Sequence, residues 1–130
     1  MDASLTWTRD QTFIASSASQ WITIDGNSTA GPSPVQAFAF AIAGCMAVDV
    51  IEILVKGRHS IHAMEVAFHG ERAPTPPHRF TTVHLAFVIR GEVANDVVAR
   101  AISLSHEKYC SVSNSLRGDI AFTTEFEVQS

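Results

Sequence analysis

The sequence predicts an α+β domain whose elements follow the order βββ-α-ββ-α-β. Three observations predict this class: short segments of alternating apolar and polar residues at the N-terminus, one long apolar helical segment, and a second helical segment between strand patterns. The chain has 130 residues, a length that suits one domain and can bury a core. Because no repeat or linker interrupts it, we expect a single domain over residues 1–130.

The first three segments are typical of half-buried strands, because apolar and polar residues alternate in each of them. They cover residues 5–8, 12–15 and 21–24, and polar turns separate them. This spacing predicts an antiparallel meander. A loop over residues 25–31 follows it.

A long helix is predicted next, with clear signals at both ends. Ser33 is a good N-cap, Pro34 suits the first helical position, and Gln36 can complete a capping box with Ser33. The pattern continues to about Lys56, and Gly57 follows as the C-cap. The first half is apolar on most faces, so we expect a central, buried helix.

The second half of the chain predicts two strands, a helix, a short turn and a last strand. The strands cover residues 61–70 and 80–89, and the helix covers residues 94–106. A short polar helix or turn is expected over residues 109–116. Alternation returns over residues 120–128 and predicts the final strand.

Composition narrows the possible partners and the location. Hydrophobic residues make up 46% and charged residues 17%, which is typical of a folded protein. The formal net charge is -4 and no stretch clusters Lys and Arg, so nucleic acid is not expected as a partner. The N-terminus has no secretory pattern, and the apolar stretch 35–48 is shorter than the roughly 20 residues that span a bilayer. We therefore expect a cytoplasmic protein without a membrane partner.

The two cysteines are the residues most able to carry chemistry. In a reducing compartment they are not expected to form a structural disulfide, which leaves inert buried thiols, metal ligands or redox chemistry. Cys45 lies on the apolar helix, where a cysteine is commonly a small core residue. Asp49 follows four residues later on the same face, and its charge would raise the pKa of the thiol. Activation of Cys45 would therefore need a nearby cation.

Cys110 has polar neighbours, so we expect it near the surface or in a pocket wall. Lys108 and Arg117 could favour a thiolate there, and a chance surface thiol is the less favoured alternative. His106 precedes Cys110 by four residues, which would place two metal ligands on one helical face. Because no CxxC or HExxH motif occurs, we expect no metal. A hydrolase is disfavoured as well, since no G-x-S-x-G motif is present.

Two segments taken together resemble the OsmC/Ohr family, which includes osmotically induced protein C and the organic hydroperoxide resistance proteins. The first segment combines GPSPVQ at residues 31–36 with AGCMAVDV at residues 43–50, and the second is SHEKYCSVSN at residues 105–114. The similarity extends over nearly the whole chain and includes the spacing of the cysteines. The residues of these motifs are most similar to those of the OsmC-like branch.

This resemblance implies a fold, an assembly and a reaction. The fold has a long central buried helix, and relatives form intertwined homodimers with their sites at the subunit interface. The implied reaction is thiol-dependent reduction of an organic hydroperoxide by two cysteines. Cys45 would be the peroxidatic thiolate and Cys110 the resolving thiol. An external dithiol would restore the pair, and no bound cofactor is expected.

The sequence departs from the family pattern at two positions, and this keeps an alternative open. Thr12 and Gln36 stand where relatives carry an arginine and a glutamate beside the reactive thiol. The alternative is a non-catalytic module that binds a small apolar molecule or an electrophile. Phe38, Gln36 and Met46, with Phe40, are the residues expected to contact the substrate or ligand.

Three other arginines are candidates to replace the missing one. Arg9 is nearest to Thr12 in the sequence, and Arg79 and Arg117 lie farther along the chain. Their positions relative to Cys45 require a structure.

Overall fold

A computed structural model describes all residues from 1 to 130 and confirms the α+β class and the predicted order of elements. The elements are β1 (Ser4–Arg9), β2 (Thr12–Ser17), β3 (Gln20–Asp25), α1 (Pro34–Lys56), β4 (Ser60–Arg72), β5 (Phe80–Glu92), α2 (Asn95–Leu104) and β6 (Ala121–Gln129). The chain divides into two compact units, residues 1–41 and residues 42–130.

The first unit contains the predicted meander. Strands β1, β2 and β3 form an antiparallel sheet in that order, with Ile14 of β2 opposite Thr6 on one side and Thr23 on the other. Several large apolar side chains of this sheet are exposed, namely Leu5, Trp7, Trp21 and Ile22.

The loop that follows β3 is organised by one buried carboxylate. Asp25 is 3% exposed and accepts hydrogen bonds from the backbone N–H groups of Asn27 (2.9 Å), Thr29 (3.3 Å) and Ala30 (2.9 Å). The bonds from Ala30 and Asn27 are the main reason why the pKa of Asp25 lies below its usual value. A carboxylate thereby satisfies backbone donors that have no partner in a strand or helix.

Helix α1 begins with the predicted capping box. The N–H of Gln36 donates to Ser33 Oγ at 3.1 Å, and the N–H of Ser33 donates to Gln36 Oε1 at 2.9 Å. The helix ends at Lys56, as predicted, and the N–H of Gly57 donates to the carbonyl of Ile53 at 3.0 Å.

The second unit is built on a mixed three-stranded sheet. Strand β5 is central, antiparallel to β4 and parallel to β6. A crossover through α2 makes the parallel pairing possible, because parallel strands cannot be joined by a tight hairpin. Alternate side chains of β5 are fully or almost fully buried: Val83, Leu85, Phe87 and Ile89. Helix α2 contributes Val98, Ala101 and Ile102 to the buried residues.

Helix α1 buries one face within the chain. Ile42, Met46, Val50 and Leu54 recur at intervals of four and are fully buried. Elsewhere on the helix Phe40, Val48 and Val55 are 65%, 61% and 58% exposed. Burial of the whole helix, as the sequence predicts, would require a partner for these residues.

The full helix is also longer than the apolar stretch 35–48 on which the membrane expectation depended. Its 23 residues could cross a membrane by length and composition alone. This criterion is weak, because the core helix of a soluble protein also meets it.

Candidate functional site

The structure brings Cys45 and Cys110 together and adds a carboxylate to them. Cys45 and Asp49 lie one turn apart on α1, and Cys110 lies just after α2. Their two Sγ atoms and a carboxylate oxygen of Asp49 all lie within 4.8 Å of one another. Both cysteines are free thiols.

A π-helical turn positions Cys110. Residues Ser105–Tyr109 continue α2 with wider turns, and the N–H of Cys110 donates to the carbonyl of Ser105 at 2.8 Å. The backbone becomes extended at Cys110, and a short 3₁₀ turn over Ser113–Ser115 follows. The predicted polar turn is therefore present, and the helical register changes immediately before the cysteine.

Cys110 is fully buried, contrary to the expectation that its polar neighbours would place it near the surface. Its Sγ accepts a hydrogen bond from the N–H of Ser113 at 3.3 Å. The side-chain amide of Asn114 donates to the carbonyl of Cys110 at 2.9 Å and to that of His106 at 3.0 Å. The adjacent side chains of Tyr109 and Ser111 are exposed, so the thiol points inward between two residues that face solvent.

The surroundings of Cys45 favour the protonated thiol. Burial is the main cause that raises its pKa, and the Cys110 thiol and the charge of Asp49 add to the effect. The backbone N–H of Val112 acts in the opposite direction, because it can stabilise a thiolate. Within the chain, Cys45 is therefore a less ready nucleophile than an ordinary cysteine at neutral pH.

Asp49 is held by a hydroxyl and not by a cation. Ser105 is fully buried, and its Oγ donates to Asp49 Oδ2 at 2.8 Å. The chain has no ion pair that involves Asp49. The nearest lysine on α1, Lys56, pairs with Glu52 at 2.8 Å. Ser105 is the residue of this site that the sequence did not single out, and its only signal was its place in the second family motif.

Two of the three candidate arginines, Arg117 and Arg79, contact the carboxylate of Asp119. Arg117 forms two hydrogen bonds of 3.0 and 2.8 Å with the carboxylate of Asp119, and Arg79 lies 3.7 Å from the same carboxylate. Thr12, where the resemblance implies an arginine, pairs with Asp25 across β2 and β3, and its hydroxyl helps to lower the pKa of that carboxyl group. Arg9, on β1, contributes with Thr12 to the lining of a small cavity near this carboxylate. Thr12 thus serves the loop after β3.

The predicted substrate-binding residues have different surroundings. Gln36 Oε1 accepts hydrogen bonds from Ser33 and from Ser28 Oγ (2.8 Å), so its amide oxygen is used for capping. Met46 is fully buried among core residues, and Phe38 is half-buried on α1. A cavity of about 540 Å³ does lie beside Asp49, and its lining consists of Asp49, Glu52, Ile53, Lys56 and Tyr109.

His106 does not join the thiol cluster. Its ring stacks on Phe122 with centroids 4.4 Å apart, and its buried Nδ1 has no hydrogen-bond partner. The cluster of possible ligands consists of Cys45, Asp49 and Cys110. The spacing of His106 and Cys110 along the sequence therefore does not predict their spatial relationship, because the π-helical turn separates them.

Comparisons with known proteins agree with this architecture. A family profile described as OsmC-like protein matches residues 25–125. Protein YhfA of Escherichia coli strain K12 is 41% identical over 131 residues, which cover 98% of each chain.

Solved structures show the same fold. An OsmC-like protein from Mycoplasma pneumoniae has a TM-score of 0.86 at 17% identity, with 99% of this chain and 96% of that chain covered. An organic hydroperoxide resistance protein from Legionella pneumophila has a TM-score of 0.72 at 18% identity, with 98% and 96% covered. At these identities the likeness concerns the fold.

Proposed function

This chain belongs to the OsmC-like protein family, and on that premise we propose that it reduces organic hydroperoxides with its two thiols. The observation that carries the proposal is the separation of Cys45 Sγ and Cys110 Sγ, which is at most 4.8 Å. A disulfide requires sulfur atoms about 2 Å apart, so a modest movement of the two side chains would bond them. Relatives of the same fold are described as organic hydroperoxide resistance proteins.

The proposed reaction has three steps. The thiolate of Cys45 attacks one peroxide oxygen and the O–O bond breaks, which gives a sulfenic acid on Cys45 and, with one proton, an alcohol. The thiol of Cys110 then displaces water from this sulfenic acid and forms a disulfide. An external dithiol reduces the disulfide and becomes a disulfide itself.

We assign the first role to Cys45 because it is more accessible. Cys45 is partly exposed, whereas Cys110 is fully buried and its Sγ already accepts a hydrogen bond from Ser113. The N–H of Val112 would stabilise the thiolate of Cys45. Since burial and Asp49 oppose that charge, we expect the first step to be slow at neutral pH unless substrate or a partner subunit adds a donor.

A homodimer is part of the proposal. The exposed apolar residues of α1 (Phe40, Val48 and Val55) have no partner within the chain, and they would lose contact with water in a symmetric pair. A second copy is the occupant that we propose, in agreement with the resemblance to intertwined dimers. A reducing cytoplasm would supply the dithiol, and neither nucleic acid nor a membrane has a role in this scheme.

The test is peroxide consumption by purified variants. Wild-type protein, Cys45→Ser and Cys110→Ser are mixed with tert-butyl or cumene hydroperoxide and dihydrolipoamide, with Ser103→Ala, an exposed change on α2, as the control. We expect Cys45→Ser to lose turnover. In a parallel assay without dihydrolipoamide, we expect Cys110→Ser to consume about one equivalent of peroxide and stop at a sulfenic acid on Cys45. Equal rates for wild type and Cys45→Ser would contradict the proposal.

A ligand-binding module is the second candidate. It is favoured because Thr12 and Gln36 already have structural roles. Both residues serve local structure where relatives place charged groups. In this case Cys45 would capture an electrophile or border an apolar ligand without turnover. Native mass spectrometry of freshly purified protein would detect the bound molecule, and a clean apo mass with peroxide turnover would exclude this alternative.

A further inference from the structure

We propose that the reduced protein binds one thiophilic divalent cation, best matched by Zn²⁺, through Cys45, Cys110 and Asp49. The observation behind it is a compact set of two thiols and one carboxylate, with all three ligand atoms within 4.8 Å of one another. Three protein ligands would leave the fourth position of a tetrahedral site to water. This inference does not depend on peroxide turnover.

The geometry is close to that of a zinc site. Bond lengths of about 2.3 Å to sulfur and 2.0–2.2 Å to oxygen place tetrahedral ligand atoms roughly 3.5–3.8 Å apart. The ligand atoms therefore need to approach by about 1.3 Å at most. Cys45 and Asp49 share one face of a regular helix, and Cys110 is fixed by the backbone bond to Ser105, so side-chain rotation suffices.

The charges of the site also favour a cation. Two thiolates and a carboxylate would carry three negative charges, and no Lys, Arg or His forms an ion pair with Asp49. Binding would release one proton from each thiol and reduce the net charge of the site to minus one. A divalent ion would thus compensate most of the negative charge that deprotonation of the two thiols creates, and no cationic side chain is paired with Asp49 to do so.

A hydrogen bond from a neighbouring residue orients the carboxylate ligand, as is common in metal sites. Ser105 Oγ donates to Asp49 Oδ2, and one oxygen of the same carboxylate lies within 4.8 Å of both thiol sulfurs. Metal-ligating carboxylates are commonly oriented by such outer partners. Two sulfur ligands select zinc and other soft ions over magnesium or calcium, whose preferred ligands are oxygens.

The sequence concealed this site because its ligands are far apart in the chain. The expectation of no metal depended on the absence of CxxC and HExxH, which detect ligands within one turn or loop. Here two ligands come from α1, and the third comes from the turn after α2.

The first test is a titration of the full-length protein with Co²⁺ and then Zn²⁺, without oxygen and with a phosphine reductant. We expect one ion per chain, a thiolate-to-cobalt charge-transfer band, and visible bands of tetrahedral cobalt that Zn²⁺ abolishes. Cys45→Ser, Cys110→Ser and Asp49→Asn should each remove these bands. Ser105→Ala should weaken Zn²⁺ binding roughly 10-fold, and the exposed change Asp96→Asn should have no effect.

The result that would overturn the proposal is a reduced wild-type protein without stoichiometric binding, or an Asp49→Asn variant that binds like Asp96→Asn. Circular dichroism of each variant separates loss of a ligand from loss of the fold. A second measurement needs no variant: diamide accepts two electrons and two protons from the thiols, which become a disulfide. The oxidised protein should bind no Zn²⁺, and retained stoichiometric binding would refute the thiolate ligands. Since every readout is metal binding, failure here leaves the peroxidase proposal to its own assay.

Discussion

Ser105 donates a hydrogen bond of 2.8 Å to Asp49 and so connects the π-helical turn after α2 to the middle of α1. This bond joins the two chain segments that carry the two cysteines. Ser105 also accepts the backbone bond from Cys110 through its carbonyl group. One fully buried serine therefore positions both the carboxylate and the second thiol of the site.

Ser105→Ala should destabilise the protein. The change removes the donor to a carboxylate and leaves Asp49 Oδ2 without its partner, at a cost of about 1–3 kcal/mol. Urea unfolding followed by circular dichroism measures the difference. Ser103→Ala, an exposed change two residues earlier, should stay within about 0.5 kcal/mol of wild type. Equal effects of the two changes would argue against a structural role for this bond.

Asp49→Asn should make Cys45 react faster. The negative charge of Asp49 is one of the causes that raise the pKa of Cys45, so its removal lowers that pKa and increases the thiolate fraction at neutral pH. Alkylation by iodoacetamide, followed at Cys45 by peptide mass spectrometry, should accelerate modestly, because burial, the main cause of the raised pKa, is unchanged. Asp96→Asn serves as the control on α2, and an unchanged or slower rate in Asp49→Asn would contradict the electrostatic account.

Asp25 should make the protein sensitive to acid. Its pKa is lower in the folded state than in the unfolded state, so it stabilises the fold above about pH 4 and loses this effect as pH falls through the folded-state pKa. Asp25→Asn should unfold at lower urea than wild type at pH 7, with a difference that shrinks in acid. Asp2→Asn, an exposed change, should follow wild type at every pH. A constant difference from pH 7 to pH 3 would show that this charge is not responsible.

Val48→Asp should disrupt the proposed homodimer. Val48 is an exposed apolar residue of α1, and burial of a new carboxylate between two copies would be strongly unfavourable. Size-exclusion chromatography with light scattering should give a dimer mass for wild type and a monomer mass for Val48→Asp. Asn95→Asp adds the same charge at an exposed position of α2 and should remain dimeric. A monomeric wild type would refute the dimer directly.

The order of the elements could be predicted because each of them has a local signal. Strand alternation, the Ser33–Gln36 capping box and the apolar pattern of α2 depend on neighbours in sequence, and the structure confirms them. The burial of Cys110 had no such signal, because the π-helical turn that directs it inward depends on one backbone bond to Ser105. Composition around Cys110 therefore indicated the wrong environment.

The pairing of the cysteines was predicted by resemblance and not by residue patterns. The sequence around Cys45 alone predicts a core residue. Its proximity to Cys110 and Asp49 depends on how α1 packs against the turn after α2. Thr12 and Gln36 were visible in the sequence, and the capping role of Gln36 was predicted from it and confirmed. The pairing of Thr12 with Asp25 across β2 and β3, by contrast, depends on the sheet and needed the structure.

The two thiols lie on α1 and after α2, and the chain between them is most of the second unit. It includes β4, β5 and α2, whereas β6 lies outside it. A bond between them would close a long loop and restrict the unfolded chain. Loop-closure entropy for such a length corresponds to about 4 kcal/mol of added resistance to unfolding. Oxidation would then change the lifetime of the folded protein as well as its chemistry. The disulfide form would resist unfolding, and therefore degradation, more than the reduced form.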